Sequence, residues 1–381
     1  MECSAILKKF VILGFSNGGL FMARQLRREW PDSVIFALGM TNDIGRYSNV
    51  VNRFYSVTAQ DSLLKIIEQA YQEIGKGDVK AVICSNPMLE DIVLNYPEVF
   101  DLLHFDNPIQ TYTLFVSKEQ TNRLCENLNV NFPGSYKMAD IDGSVVDYPI
   151  VAKPIEKTLT HGVDKIELIK NIEQFQSYIS KLTTLGVDRD LIVFQQYIHG
   201  NNKWEYGYGG YFENGHPIID ICFYQIRQMP QGICCYTKEI TNDVLVKQIR
   251  EFVNPILDYT HYCGFIEFDI KQDEDTKSLY LLDINPRPWR SSDMLSGKVG
   301  KSTIFRPKPS DNAVAWCYPF KALSAHRNKM NPSKSECRKI KSSPNEKFVV
   351  SLYDRKDIKP FIMQGYTDAK TLVSKLLKVF S

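Results

Sequence analysis

Chemistry concentrates in one stretch of this chain, Leu279–Trp289, which reads LYLLDINPRPW. An apolar strand there ends in Asp283 and Asn285, two residues apart, with Arg287 two further on. Side chains alternate across a strand, so Leu281, Asp283 and Asn285 are expected on one face, and Leu282 and Ile284 on the other. Upstream, GFIEFDIK sets Glu267 and Asp269 on one face and Ile266, Phe268 and Ile270 on the opposite one. The acidic turn QDEDTK joins the two runs as the arms of a hairpin. Pairing of those arms brings Asp269 near Asp283, and the oxygens of Asp269, Asp283 and Asn285 converge. A hard divalent ion such as Mg2+ takes such oxygens at about 2.0–2.1 Å and completes an octahedron with phosphates and water. The bland alternative is an exposed sheet edge that happens to carry two acids. The flanking apolar runs, the matching parity of the second acid and the trailing Pro-Arg favour the cation site, because acids buried together without a cation are costly.

The elements that must position these groups follow from periodicity. The opening segment alternates strand and helix: KKFVILGF, GGLFMARQLRREW, DSVIFALGM, LLKIIEQAYQEI and VKAVICS. That rhythm predicts a doubly wound parallel sheet covered on both faces. From about Tyr112 the pattern changes to a helix, SKEQTNRLCENLNV, then the strand YPIVAKPI, a polar loop and IELIKN. Two further strands are expected at LIVFQQYI and WEYGYGGYFENGHPIIDICFYQI, then a helix at VLVKQIREFVNPILDY before the acid-bearing hairpin. The chain ends in the helical pattern TDAKTLVSKLLKVF. We therefore expect four parts: an α/β domain over 1–113, a small α+β part over 114–190, a larger α+β part over 191–310, and a basic extension over 311–381.

Bulk properties exclude several classes. With 381 residues, 44% hydrophobic and 24% charged, the chain suits two or three subdomains. No apolar run approaches the roughly 18 residues of a membrane helix. The nine cysteines are scattered with no CxxC pair, which fits reduced thiols in a cytoplasm rather than zinc or a disulfide framework. The turn Gly14-Phe-Ser-Asn-Gly18-Gly19 lacks GxGxxG; its glycines are expected to serve close packing, and nicotinamide binding is set aside. Net charge is +2, yet residues 301–381 carry 17 Lys/Arg against 6 Asp/Glu. A solvated basic surface is the plain reading, and a rim that attracts an anionic or phosphate-bearing substrate is the sharper one. These basics lack interleaved stacking aromatics, so nucleic acid is set aside. A homodimer is the default for a soluble assembly.

The hairpin motifs, Gly264-Phe-Ile-Glu267-Phe-Asp269 and Asp283-Ile-Asn285-Pro-Arg287, resemble the metal-binding signature of the ATP-grasp enzymes. The more specific likeness, over about residues 1 to 300, is to carboxylate–amine ligases of the D-aspartate ligase kind. That resemblance implies an ATP-grasp fold in which two α+β subdomains behind the N-terminal domain clamp ATP. It implies that Asp269, Asp283 and Asn285 hold one or two Mg2+ ions (or Mn2+) on the ATP phosphates, with Arg287 at the γ-phosphate. Lys118 and Lys153 resemble the two phosphate-binding lysines. The loop 155–163, with Thr158, Thr160, His161 and Gly162, resembles the flap over the triphosphate. LIVFQQYIHG resembles the adenine hinge, implying backbone contacts at Gln196 and Ile198 and a ribose contact from Gln195 or Glu205. D-Alanine–D-alanine ligase has an arginine where Glu267 stands here, and Arg227, in RQMPQG, is implied as its replacement. Cys234 and Cys235 have no base partner in sight and are expected in the core.

Such enzymes join a carboxylate to an amine through an acyl phosphate, releasing ADP and phosphate. The same ATP site would serve a small-molecule kinase or a nucleotide-binding module without turnover, so both stand as alternatives at this point.

Overall fold

The computed structural model describes residues 7–58, 61–75, 77–136, 141, 146–154, 163–164, 166–229, 233–322, 325, 330–333 and 345–380. The N-terminal strands β1 (Lys9–Leu13), β2 (Val34–Met40), β3 (Arg53–Val57) and β4 (Val79–Ile83) form a parallel sheet in the order β3-β2-β1-β4. Alternate residues of β1 enter different cores. Phe10 and Ile12 pack with Leu20 and Phe21 of α1 (Asn17–Glu29), whereas Val11 and Leu13 pack with Ile67 of α2 (Leu63–Ile74) and Leu89 of α3 (Asn86–Asn95). A strand apolar on both faces requires helices on both, as the sequence rhythm implied. The edge strand β3 was not among the expected elements; Arg53 and Ser56 are exposed, which dilutes its apolar signal.

A second, antiparallel sheet has the order β5-β8-β6-β7, from β5 (Ser135–Tyr136), β6 (Ile150–Pro154), β7 (Glu167–Ile169) and β8 (Ile192–Gln196). Its apolar face is covered by the helix Ile172–Leu185 through Phe175, Tyr178 and Leu182. That helix starts where the Asn171 side chain accepts from Gln174 N–H and stops at Gly186, at φ +67°.

The third sheet has seven strands in the order β13-β12-β9-β10-β11-β14-β15. They are β9 (Glu205–Glu213), β10 (His216–Met229), β11 (Ile233–Glu239), β12 (Gly264–Gln272), β13 (Leu279–Asn285), β14 (Val314–Cys317) and β15 (Lys347–Val350). The stretch from Trp204 to Ile226, expected as one strand, is instead the hairpin β9–β10. It reverses at Asn214-Gly215, at φ +52° and +79°. Asn-Gly suits that left-handed turn, and the apolar alternation on either side of it hid the reversal. Gly207 and Gly209 of β9 leave room for aromatic rings: an added Cβ would lie 2.1 Å from Phe223 and 2.9 Å from Trp289. Those two rings stack at 9° with centroids 5.9 Å apart, and buried Trp289 fixes the chain just past Arg287.

The C-terminal part is tied back to the first domain. Strands β14 and β15 extend the large sheet, and Asp357 receives Arg24 of α1 at 2.9 Å in a buried ion pair. Ser48 Oγ and Asn49 N–H donate to the same carboxylate at 2.7 and 3.0 Å, so its acceptor sites are well used.

Candidate active site

The acid-bearing hairpin forms in the expected register. Asp269 stands opposite Asp283 and Glu267 opposite Asn285 on β12 and β13. One detail differs. The ladder shifts between the pairs Asp269–Asp283 and Ile270–Leu281, leaving one extra residue on β13. This bulge flips the parity below Asp283, so Leu281 joins Ile284 in the apolar core instead of sharing the acid face, and Leu282 lines the cleft.

Asn285 is the hub of the acid face. Its Nδ2 donates to Asp269 Oδ2 at 3.2 Å and Glu267 Oε2 at 3.3 Å. Its Oδ1 accepts from Arg287 Nη2 at 2.9 Å and from Asn86 Nδ2, at the start of α3, at 2.7 Å. Gln225 of β10 donates to Asp269 Oδ1 at 2.8 Å. Glu267 and Asn285 are buried, at 8% and 5% exposure. Two carboxylates are thus bridged by the NH2 of a neutral amide; their oxygens fit a hard divalent cation, which would take the amide oxygen once the side chain is turned. Asp283 points elsewhere: its Oδ1 accepts from Lys118 Nζ at 2.8 Å, and the same amine reaches Leu282 O at 2.8 Å.

A cleft of about 910 Å³ opens between the second and third sheets, a volume within the usual range for small-molecule sites. Lys118, Lys153, Gln195, Glu205, Asp269 and Asp283 all line it, so six of the residues singled out in the sequence face one space. Lys118 is delivered by the helix Lys118–Leu128, whose N-cap Ser117 accepts from Gln120 N–H. Lys153 stands on β6 opposite Val193. Gln195 is buried on β8, between Ser135 and Val151. Glu205 opens β9 and is held by Gln228 Nε2 and by Lys271 Nζ, the latter at 3.6 Å.

Other expected residues stand apart from the cleft lining. Gln196 N–H donates to Gly134 O at 2.8 Å, and Ile198 is buried just past β8. Arg227 is exposed, at a point where the β10–β11 ladder shifts register on both sides of it. The cleft receives Gln225 and Gln228 from that strand instead. Arg287 is half-buried beside Asn285, close enough to Cys84 to counter slightly the burial that pushes that thiol up. The proposed flap residues Thr158, Thr160, His161 and Gly162 lie outside the described residues. Burial pushes the Cys234 thiol well up and that of Cys235 to about 11, and every described cysteine is free. Neither thiol is a ready nucleophile.

Asn86, Gln225 and Gln228 are site residues that the sequence reading did not single out. The last two were within reach, since Gln228 follows Arg227 in RQMPQG and Gln225 lies two residues before it. Asn86 lies 199 residues from its partner Asn285 and carried no local signal beyond opening a helix just after an apolar strand. The N-terminal turn also presses on this site: a Cβ on Gly14, at φ +104°, would lie 2.4 Å from Ser85 Cβ, and one on Gly18 would lie 2.5 Å from Pro288 O. These two glycines serve close approach of backbones, as expected.

No protein-family model matches the chain. A D-aspartate ligase of Enterococcus faecium (strain Aus0004) is 20% identical over 289 residues, covering 67% of this chain and 68% of that protein. Among solved structures, N5-carboxyaminoimidazole synthetase from Staphylococcus aureus complexed with ADP superposes with a TM-score of 0.57 at 18% identity, over 89% of this chain and 80% of that one. The biotin carboxylase domain of Hydrogenobacter thermophilus 2-oxoglutarate carboxylase, in complex with MgADP, gives a TM-score of 0.59 at 12% identity, over 79% and 68% of the two chains. With the acid-bearing hairpin and the two lysines lining one cleft, the chain has the ATP-grasp fold.

Proposed function

We propose that the protein is an ATP- and Mg2+-dependent carboxylate–amine ligase, which activates a substrate carboxylate as an acyl phosphate and passes it to an amine. The observation that carries this reading is that Asp269 and Asp283 of the hairpin line one cleft together with Lys118 and Lys153. Cations and acids gathered in one cleft suit a triphosphate held through a divalent ion. The likeness to a D-aspartate ligase, a carboxylate–amine ligase by its name, supports the direction of the chemistry.

Asp269, Asp283 and Asn285, with Glu267 beside them, are the residues that would hold Mg2+. The ion, when bound, withdraws charge from the phosphoryl oxygens. Lys118 and Lys153 meet the phosphates within the same cleft and spread the charge that builds as the substrate carboxylate attacks the γ-phosphorus. Gln195 and Glu205, which line the cleft, are proposed to meet the ribose hydroxyls, and adenine is proposed to sit toward the end of β8, where Gln196 N–H is already taken by Gly134 O. Arg287, beside the acid face, is assigned to the γ-phosphate and to the oxyanion formed when the amine attacks. Arg227 is a more distant candidate for the same charge and would have to swing inward from its exposed position.

The parts 1–113, 114–190, 191–310 and 311–381 are proposed as N-terminal domain, small subdomain, large subdomain and C-terminal extension. One sheet falls in the first of these spans, and β14 and β15 support reading the last as an extension of the large subdomain. The basic balance of residues 301–381 favours an anionic acceptor, for which added salt should raise the KM. Free thiols suit a cytoplasmic setting. Among the described residues no helix is long and apolar enough to cross a membrane.

The test is ADP release from ATP across a panel of carboxylates and amines, with mass spectrometry of the product. An amide formed only when both partners are present supports the proposal. A phosphorylated product formed without any amine contradicts it and marks a kinase.

A further inference from the structure

We infer that Asn86 is a positioning residue for the metal site, an amide partner that holds Asn285 whichever way its side chain is turned. The inference rests on the ligase reading above and concerns the same hairpin.

As it stands, Asn285 is turned away from metal binding. Its nitrogen faces Asp269 and Glu267, and its oxygen faces Asn86 and Arg287. A cation between the carboxylates requires the opposite: an amide oxygen toward the acids, since only the oxygen has lone pairs to give. Half a turn of the amide achieves that without moving the backbone. Nδ2 then points at whatever held Oδ1 before.

The two present partners differ in what they do next. Arg287 has only donors, so it opposes the turned amide. Asn86 has both poles, and its own Oδ1 is buried with no hydrogen-bond partner. Turning Asn86 in concert offers that oxygen to Asn285 Nδ2 and gives the turned amide an acceptor, without which its buried donor would cost about 1–3 kcal/mol. The local chain holds Asn86 in place for this. Ser85 caps α3 by accepting from Met88 N–H, Pro87 follows, and Asn86 is the first residue of the helix.

Mn2+ serves as a probe, with its binding in the presence of ADP followed by electron paramagnetic resonance. Asn86→Leu, which removes both poles, is expected to weaken Mn2+ about tenfold, the size of one lost hydrogen bond. ADP affinity measured without metal should stay within about twofold, because the cleft walls are untouched. Asn86→Asp can only accept, supports only the metal-competent amide, and is expected to bind Mn2+ at least as tightly as the wild type. Unchanged Mn2+ affinity in a folded Asn86→Leu variant overturns the inference, and so does an Asn86→Asp variant with weakened Mn2+ binding, should the leucine variant not fold. A wild-type protein that binds no Mn2+ with ADP overturns the ligase reading itself; an intact wild-type site indifferent to Asn86→Leu overturns this inference alone.

Discussion

Lys118 Nζ lies 2.8 Å from Asp283 Oδ1, joining residues 165 positions apart across the mouth of the cleft. Both side chains are almost half exposed, at 43% and 48%, so solvent screens the pair and its net worth is at most about 1 kcal/mol. A phosphate can therefore replace the carboxylate on Lys118 at little cost. Lys118→Ala is expected to raise the KM for ATP about tenfold while moving stability by less than about 1 kcal/mol. Steady-state kinetics beside urea unfolding checks the split, and a large loss of stability with unchanged KM contradicts it.

Asp269 is expected to show the reverse balance. It accepts from Gln225 and Asn285 and shares its face with Glu267 and Asp283. Asp269→Asn should lower kcat by about 10²-fold or more, the scale seen when one preorganised electrostatic group is removed. The melting temperature should hold or rise, because Glu267 loses the like charge beside it. A variant that turns over normally would exclude Asp269 from the metal site.

The Arg24–Asp357 pair is structural. With side chains only 7% and 1% exposed, breaking it leaves a buried guanidinium short of its counter-charge. Asp357→Ala should cost about 3–5 kcal/mol, read by denaturant unfolding. It should leave the residual activity of folded protein per active site unchanged, since neither residue lines the cleft.

Asp293 supplies a pH signature. Burial raises its carboxyl above the ordinary aspartate value, against the pull of Arg24 and the Leu352 N–H. A carboxyl raised on folding contributes stability that is present below its unfolded pKa and lost as pH rises through the folded value. Asp293→Asn should therefore gain on the wild type as pH climbs through that window and lose the advantage in acid. Urea midpoints from pH 3 to 8 measure the gap, and a gap independent of pH contradicts the assignment.

Much of this site was legible because its central pair is local. Asp269 and Asp283 belong to adjacent arms of one hairpin, and a period of two with a short turn is enough to place them face to face. The bulge at Leu282 was not legible, since it depends on how the ladder is paired and not on residue type; it is why Leu281 lies in the core. The β9–β10 reversal was readable in principle from Asn214-Gly215, but unbroken alternation on both sides outweighed the turn signal. Arg227 was placed by resemblance alone, and the register shifts around it turn Gln225 and Gln228 to the cleft. Asn86 shows a different limit. Its role comes from packing the N-terminal domain against the hairpin, and periodicity carries no record of contacts 199 residues apart.

The central claim is that a substrate carboxylate attacks the γ-phosphorus of ATP in the cleft between Lys118, Lys153 and the acid face. Its most direct test is isotope transfer, using the carboxylate that supports ADP release, labelled with 18O in both oxygens. The account predicts that one labelled oxygen per turnover appears in the released inorganic phosphate, only when the amine is present, and that Asp283→Ala abolishes the transfer. Phosphate released without label, at a rate indifferent to the carboxylate, would contradict it.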